Sequence, residues 1–140
     1  MTMFKILVVD DEVDFMETIV KRLKRRNLDA QGVTSGEAAL KILNEKRFDV
    51  VLLDVKMPGG MDGIEVLRAI KFKQPLVEVL LLTGHASVET SIEGMKLGAF
   101  DYLLKPVKLE DLLAKMTGAL ERKAGHDKKI REAKIQERIP

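Results

Sequence analysis

Apolar runs of strand length alternate along this chain with stretches in which apolar residues recur every three or four positions. Residues 4–9 (FKILVV), 29–33, 50–53, 77–82 and 100–104 read as strands, the second weaker than the rest. The intervening segments keep helical spacing, through Met16, Ile19, Val20 and Leu23, then Ala39, Ile42 and Leu43, then Ile64, Val66, Leu67 and Ile70. Val88, Ile92 and Met95 mark a fourth helix, and Leu109, Leu112, Leu113, Met116 and Leu120 a fifth. Local punctuation fits these boundaries. Thr34 or Ser35 caps the second helix, Pro75 follows the third, Ser87 caps the fourth and Gly98 closes it.

Five strand-helix units in regular alternation predict an α/β fold, a doubly wound five-stranded parallel sheet with right-handed crossovers and helices on both faces. The order 2-1-3-4-5 of flavodoxin-like folds sets strands one and three side by side at the topological switch point. Polar residues then gather at one sheet edge. Asp10 and Asp11 follow the first strand, Asp54 ends the third, Thr83 follows the fourth and Lys105 the fifth. The most telling stretch is 48–58, FDVVLLDVKMP, where an apolar strand runs straight into the Asp54 carboxylate. In open α/β sheets ligands bind beyond that end of the strands.

Charge and composition narrow the class. With 140 residues, 46% of them hydrophobic, the chain builds one ordinary core, and residues 1–120 are expected as one domain followed by a charged helix or linker over 121–140. That tail carries seven Lys/Arg against four Asp/Glu, and Gly125 is expected to interrupt its helical pattern. A net charge of +2 gives no reason to expect a nucleic-acid partner, and no stretch approaches membrane-spanning length, so a soluble cytoplasmic protein is expected. Without cysteine there is no disulfide framework and no thiolate ligand or nucleophile.

Three carboxylates at one sheet edge repel one another. At ~5 Å and an effective dielectric of ~20, each pair costs roughly 3 kcal/mol, which a divalent cation relieves. An all-oxygen site of few carboxylates suits Mg²⁺ or Mn²⁺ better than Zn²⁺. Lys105 and Thr83 add the positive charge and the hydroxyl that stabilise a phosphoryl group, and a carboxylate nucleophile among them would become an aspartyl phosphate.

The set VVDDE, LLDVKMP, MDG, LLLTGHA and FDYLLKP resembles the receiver domain of two-component response regulators, over roughly residues 4–120. The resemblance implies that Asp54 is the phosphoacceptor and that Asp11, Asp54 and the backbone carbonyl of Lys56 hold Mg²⁺, with Asp10 assisting through water. It implies that Thr83 and Lys105 bind phosphoryl oxygens, that Tyr102 turns inward when the threonine moves, and that the Lys105–Pro106 bond is cis. The implied partners are a sensor histidine kinase and a downstream protein the sequence does not identify, with the oligomeric state open between monomer and homodimer. Such a domain is a phosphoacceptor signalling module that catalyses its own phosphorylation and hydrolysis, not a conventional enzyme.

Two departures stand out. Gly59 and Gly60 lengthen the loop after the acceptor by one residue, as in receivers fused to sigma-54 activator modules, and Ser91 and Gly94 stand where the family commonly has alanine. Gly94 predicts a soft fourth helix, with close packing as the alternative. Each site residue also has a plainer reading. Asp11 would cap the first helix, Lys105 reach solvent, Thr83 be an ordinary strand-end hydroxyl and Tyr102 a core aromatic. His85 is expected to be solvated. Among rival functions, a haloacid-dehalogenase-type phosphatase needs a second Asp where Lys56 stands. A flavin carrier needs a Ser/Thr-rich loop where the chain is acidic. A receiver-like module without phosphorylation would not need the intact set Asp10, Asp11, Asp54, Thr83 and Lys105.

Overall fold

The computed structural model describes residues 3–84 and 88–137, with the backbone alone for 131 and 134–137. Among them are five strands: β1 (Lys5–Val9), β2 (Asp29–Val33), β3 (Val50–Asp54), β4 (Glu78–Thr83) and β5 (Asp101–Leu104). They alternate with α1 (Val13–Lys24), α2 (Gly36–Glu45), α3 (Gly63–Lys73), α4 (Val88–Lys96) and α5 (Leu109–Glu137). All pairings are parallel in the order β2-β1-β3-β4-β5, the doubly wound, flavodoxin-like arrangement that the alternation predicts.

Successive strand residues point to opposite faces, which sorts the core into two layers. Ile6, Val8, Val50, Leu52, Leu80 and Leu82 pack with α1 and α5, while Leu7, Val9, Val51, Leu53, Val79 and Leu81 pack with α2, α3 and the Met95 side of α4. Covered on both faces, β3 and β4 are apolar at consecutive positions rather than alternate ones. The helix ends follow local chemistry. Ser35 Oγ accepts from the Ala38 amide at 3.1 Å, and Asp62 and Glu65 form a reciprocal capping box at the start of α3. Gly98 adopts a positive φ of 110° just past α4, and the expected Ser87 cap lies outside the described residues. The Lys105–Pro106 bond is cis.

Three readings need correction. α5 runs through Gly125 without a break. One glycine costs a helix only ~1 kcal/mol, and the Lys123–Asp127 pair at 3.1 Å spans that position. Next, the fourth strand, read among the apolar runs, begins with an acid, Glu78, which is 1% exposed. Arg122 pairs with its carboxylate and Lys71 Nζ lies 3.6 Å away, while Lys71 also donates to the Val77 carbonyl at 2.8 Å. Burial holds the Lys71 ammonium below the usual lysine range, against the pull of Glu78 and with the help of Arg122. Finally, Gly94 is a close-packed position. A Cβ there would lie 2.4 Å from Leu81 Cδ1 and 3.3 Å from Ile64 Cδ1, so α4 presses on β4 and α3.

Candidate functional site

The C-terminal ends of β1, β3, β4 and β5 meet at one sheet edge, and the strands deliver their terminal side chains there. Asp10 follows β1 and is fully buried, and Asp54 is the last residue of β3 at 5% exposure. Val55 donates to the Leu82 carbonyl at 2.9 Å and Gly63 to the Val55 carbonyl at 3.0 Å, which folds the loop after Asp54 back onto the strand. Gly63 has no room for a side chain. A Cβ would sit 2.3 Å from the Asp54 carbonyl oxygen, so the glycine of the MDG segment lets α3 start against the end of β3.

Lys105 is the ammonium of this site. Its Nζ lies 2.8 Å from Asp10 Oδ2, 3.0 Å from Glu12 Oε1 and 3.7 Å from Asp54 Oδ2, and it sits 4.6 Å above the Phe15 ring. Its backbone amide donates to the Thr83 carbonyl at 2.8 Å, which registers the end of β5 against that of β4. Burial opposes the charge on Lys105, but its bonds to Asp10 and Glu12 and the nearby Asp54 raise its pKa overall. The Asp54 pKa is raised as well, from its ordinary value of 3.8, which for an acid disfavours the charge. Burial first, and then the charge of Asp10, push its carboxyl up to about 7 in spite of Lys105. One ammonium leaves this acid pair electrostatically unsatisfied.

The donor set fits a small divalent cation. One oxygen each from Asp10, Glu12 and Asp54 falls within 4.8 Å of the others, all of them hard oxygen ligands. Asp10 Oδ2 is buried, and its described contact is the ion pair with the Lys105 ammonium at 2.8 Å. Its other oxygen, Oδ1, accepts from the Glu12 amide at 2.9 Å and is thereby oriented.

Of the residues expected from sequence, the structure brings together Asp10, Asp54 and Lys105. Asp11 is exposed in the β1–α1 turn and lies outside the three-carboxylate group; it does not cap α1 either, because Glu12 occupies that position. The Lys56 amide approaches Asp54 Oδ1 at 3.4 Å and its side chain is exposed. Thr83 is buried at the end of β4, its hydroxyl donating to the Gly84 carbonyl at 2.9 Å. Tyr102 is half-buried against the α2–α3 core layer, its ring 5.4 Å from Lys115 Nζ. His85 lies outside the described residues. Sequence reasoning missed Glu12 and Phe15 as neighbours of Lys105. The signal was present for Glu12, a third acid directly after Asp10 and Asp11, but an acid at a helix start is also explained by the helix dipole.

The family model for the response regulator receiver domain matches residues 6–117. ZraR, a transcriptional regulatory protein of Escherichia coli (strain K12), is 41% identical over 115 residues, covering 82% of this chain and 26% of its own length. An NtrX-like response regulator of Rickettsia bellii is 36% identical over 122 residues, covering 86% of this chain and 26% of its own. The chain thus spans about a quarter of the length of the curated relatives it matches. Among solved structures, a response regulator receiver domain protein from Clostridium thermocellum superposes with a TM-score of 0.83 at 38% identity, over 87% of this chain and 98% of that one. NtrX from Brucella abortus, solved with ADP, gives a TM-score of 0.84 at 28% identity over 99% of this chain and 31% of its own.

Proposed function

The chain belongs to the response regulator receiver family, and from that premise we propose that Asp54 is its phosphoacceptor, with Mg²⁺ as cofactor and a sensor histidine kinase as donor. The observation that carries this is the buried Asp54 carboxylate beside Asp10 and Lys105 at the end of a central strand. In the transfer an Asp54 carboxylate oxygen forms a bond to phosphorus as the donor's nitrogen–phosphorus bond breaks, and the imidazole leaves with its electron pair. Lys105 offers its ammonium to the phosphoryl oxygens and Thr83 its hydroxyl, once that hydroxyl is released from the Gly84 carbonyl. Asp10 and Asp54 would hold the cation, with Glu12 within reach and Asp11 and the Lys56 carbonyl as the ligands the family resemblance adds. Bound there, Mg²⁺ supplies positive charge against the phosphoryl oxygens. Attack of water on the aspartyl phosphate resets the domain, and the chain catalyses both steps on itself.

The output follows from two arrangements of unequal energy that the phosphoryl group rebalances, with Thr83 and Tyr102 moving together and the face of α4, β5 and α5 read by a downstream protein. Residues 1–120 form the receiver unit in this reading and 121–140 the segment that follows it. The site of action is the cytoplasm, where the donor kinase presents its phosphohistidine; no described helix is long and apolar enough to cross a membrane.

The test is incubation with Mg²⁺ and a small phosphodonor, followed by intact mass. The wild type should gain one phosphoryl group and Asp54→Asn none, while a wild-type level of label on Asp54→Asn moves the acceptor elsewhere. Mg²⁺ alone should raise the melting temperature, since a ligand of the folded state stabilises by ~2.7 kcal/mol at one hundred times its dissociation constant. If Asp11 is a ligand, Asp11→Ala blunts that rise; an undiminished rise leaves the cation to Asp10 and Asp54.

A further inference from the structure

Glu12 is the N-cap residue of α1, a position where a side chain ordinarily accepts a bond from the first turn of its own helix, yet it makes no such bond. Its carboxylate instead reaches Lys105, ninety-three residues away in sequence, at 3.0 Å. Phe15, one turn into the same helix, lies under the same ammonium at 4.6 Å. The start of α1 thus adds two contacts on Lys105 to the one from Asp10 Oδ2 at 2.8 Å, and the ammonium lies nearer to Glu12 than to Asp54 Oδ2 at 3.7 Å.

We propose that Glu12 is a positioning residue that parks the Lys105 ammonium and competes for it with a phosphoryl group on Asp54. This rests on the reading of Asp54 and Lys105 given above. A phosphoryl group brings a charge of roughly −1.5 to −2, more than the single charge of Glu12, so the ammonium moves to it but must first give up a charge-assisted bond. The Glu12 side chain is 66% exposed, and a pair in that setting is worth about two- to fivefold in affinity. Glu12 therefore sets how readily the phosphorylated arrangement is reached without touching the reacting atoms.

The probe is beryllium fluoride, which occupies the place of the phosphoryl group, titrated with Mg²⁺ saturating for every variant and read by the fluorine resonance of the bound species. Glu12→Gln should bind it about two- to fivefold more tightly than the wild type. Glu12→Asp keeps the charge but is one methylene too short to reach Lys105, and should show the same gain. In a Lys105→Ala background Glu12→Gln should add nothing, because the residue through which it acts is gone. Unchanged affinity in Glu12→Gln overturns the proposal. So does a gain with Gln but not with Asp, or a gain that survives in Lys105→Ala, since either makes Glu12 a distant charge rather than a hold on Lys105. A wild type that binds no beryllium fluoride sinks the reading of Asp54 itself, and this inference with it.

Discussion

The raised carboxyl of Asp54 makes the protein's stability depend on pH in a direction opposite to that of most surface acids. Between its ordinary value of 3.8 and about 7 the folded chain keeps a proton that the unfolded chain has released, so folding stability falls as pH rises through that window. Asp54→Asn carries no such charge. Without metal it should melt higher than the wild type at pH 8, by about 5 °C, and the gap should close toward pH 4. A gap that is constant with pH would mean that Asp54 ionises freely in the fold. At this scale much of the site was legible, because a polar residue ending an apolar strand is conspicuous, as at Asp10, Asp54, Thr83 and Lys105. What could not be read was which of several adjacent acids turns inward. Asp10, Asp11 and Glu12 are consecutive, and only the path of the β1–α1 turn decides that Asp10 is buried and Asp11 exposed.

For the secondary-structure elements, periodicity gave their existence and order, and the positions of their ends shifted by a residue. β4 begins at Glu78 rather than residue 77, and β5 at Asp101 rather than 100. What periodicity does not carry is the distance between elements. Gly94 reads in sequence as a weak point of α4, but its meaning comes from Leu81 on β4 and Ile64 on α3, neither of them near it in the chain. Gly94→Ala trades a propensity gain of ~1 kcal/mol against an overpacking cost of roughly 1–3 kcal/mol, so a net loss on the order of 1 kcal/mol is expected. The urea midpoint of the variant should fall. A higher midpoint, with slower amide exchange across α4, would restore the soft-helix reading.

Across the whole molecule, β4 joins the two ends of the sheet. Thr83 stands at the edge that holds the carboxylates, and Glu78 at the opposite edge, buried and paired with Arg122 as α5 passes beneath. Arg122→Ala leaves that carboxylate to Lys71 alone. Breaking a buried pair outright costs 3–5 kcal/mol, and with Lys71 remaining a loss of roughly 2 kcal/mol is expected. Amide exchange should speed up over residues 121–137 and stay slow over 109–120; uniform exchange along α5 would mean that the pair anchors nothing. The sequence displays these charges but not their pairing, since Glu78 and Arg122 are forty-four residues apart. Two contacts near the start of the overhang, Arg122–Glu78 and Lys123–Asp49, fix its direction, and from there α5 continues to Glu137. At 1.5 Å per residue the part beyond Arg122 is a lever arm of roughly 22 Å with its fulcrum at that residue, so a tilt of about 5° there sweeps the far tip through about 2 Å.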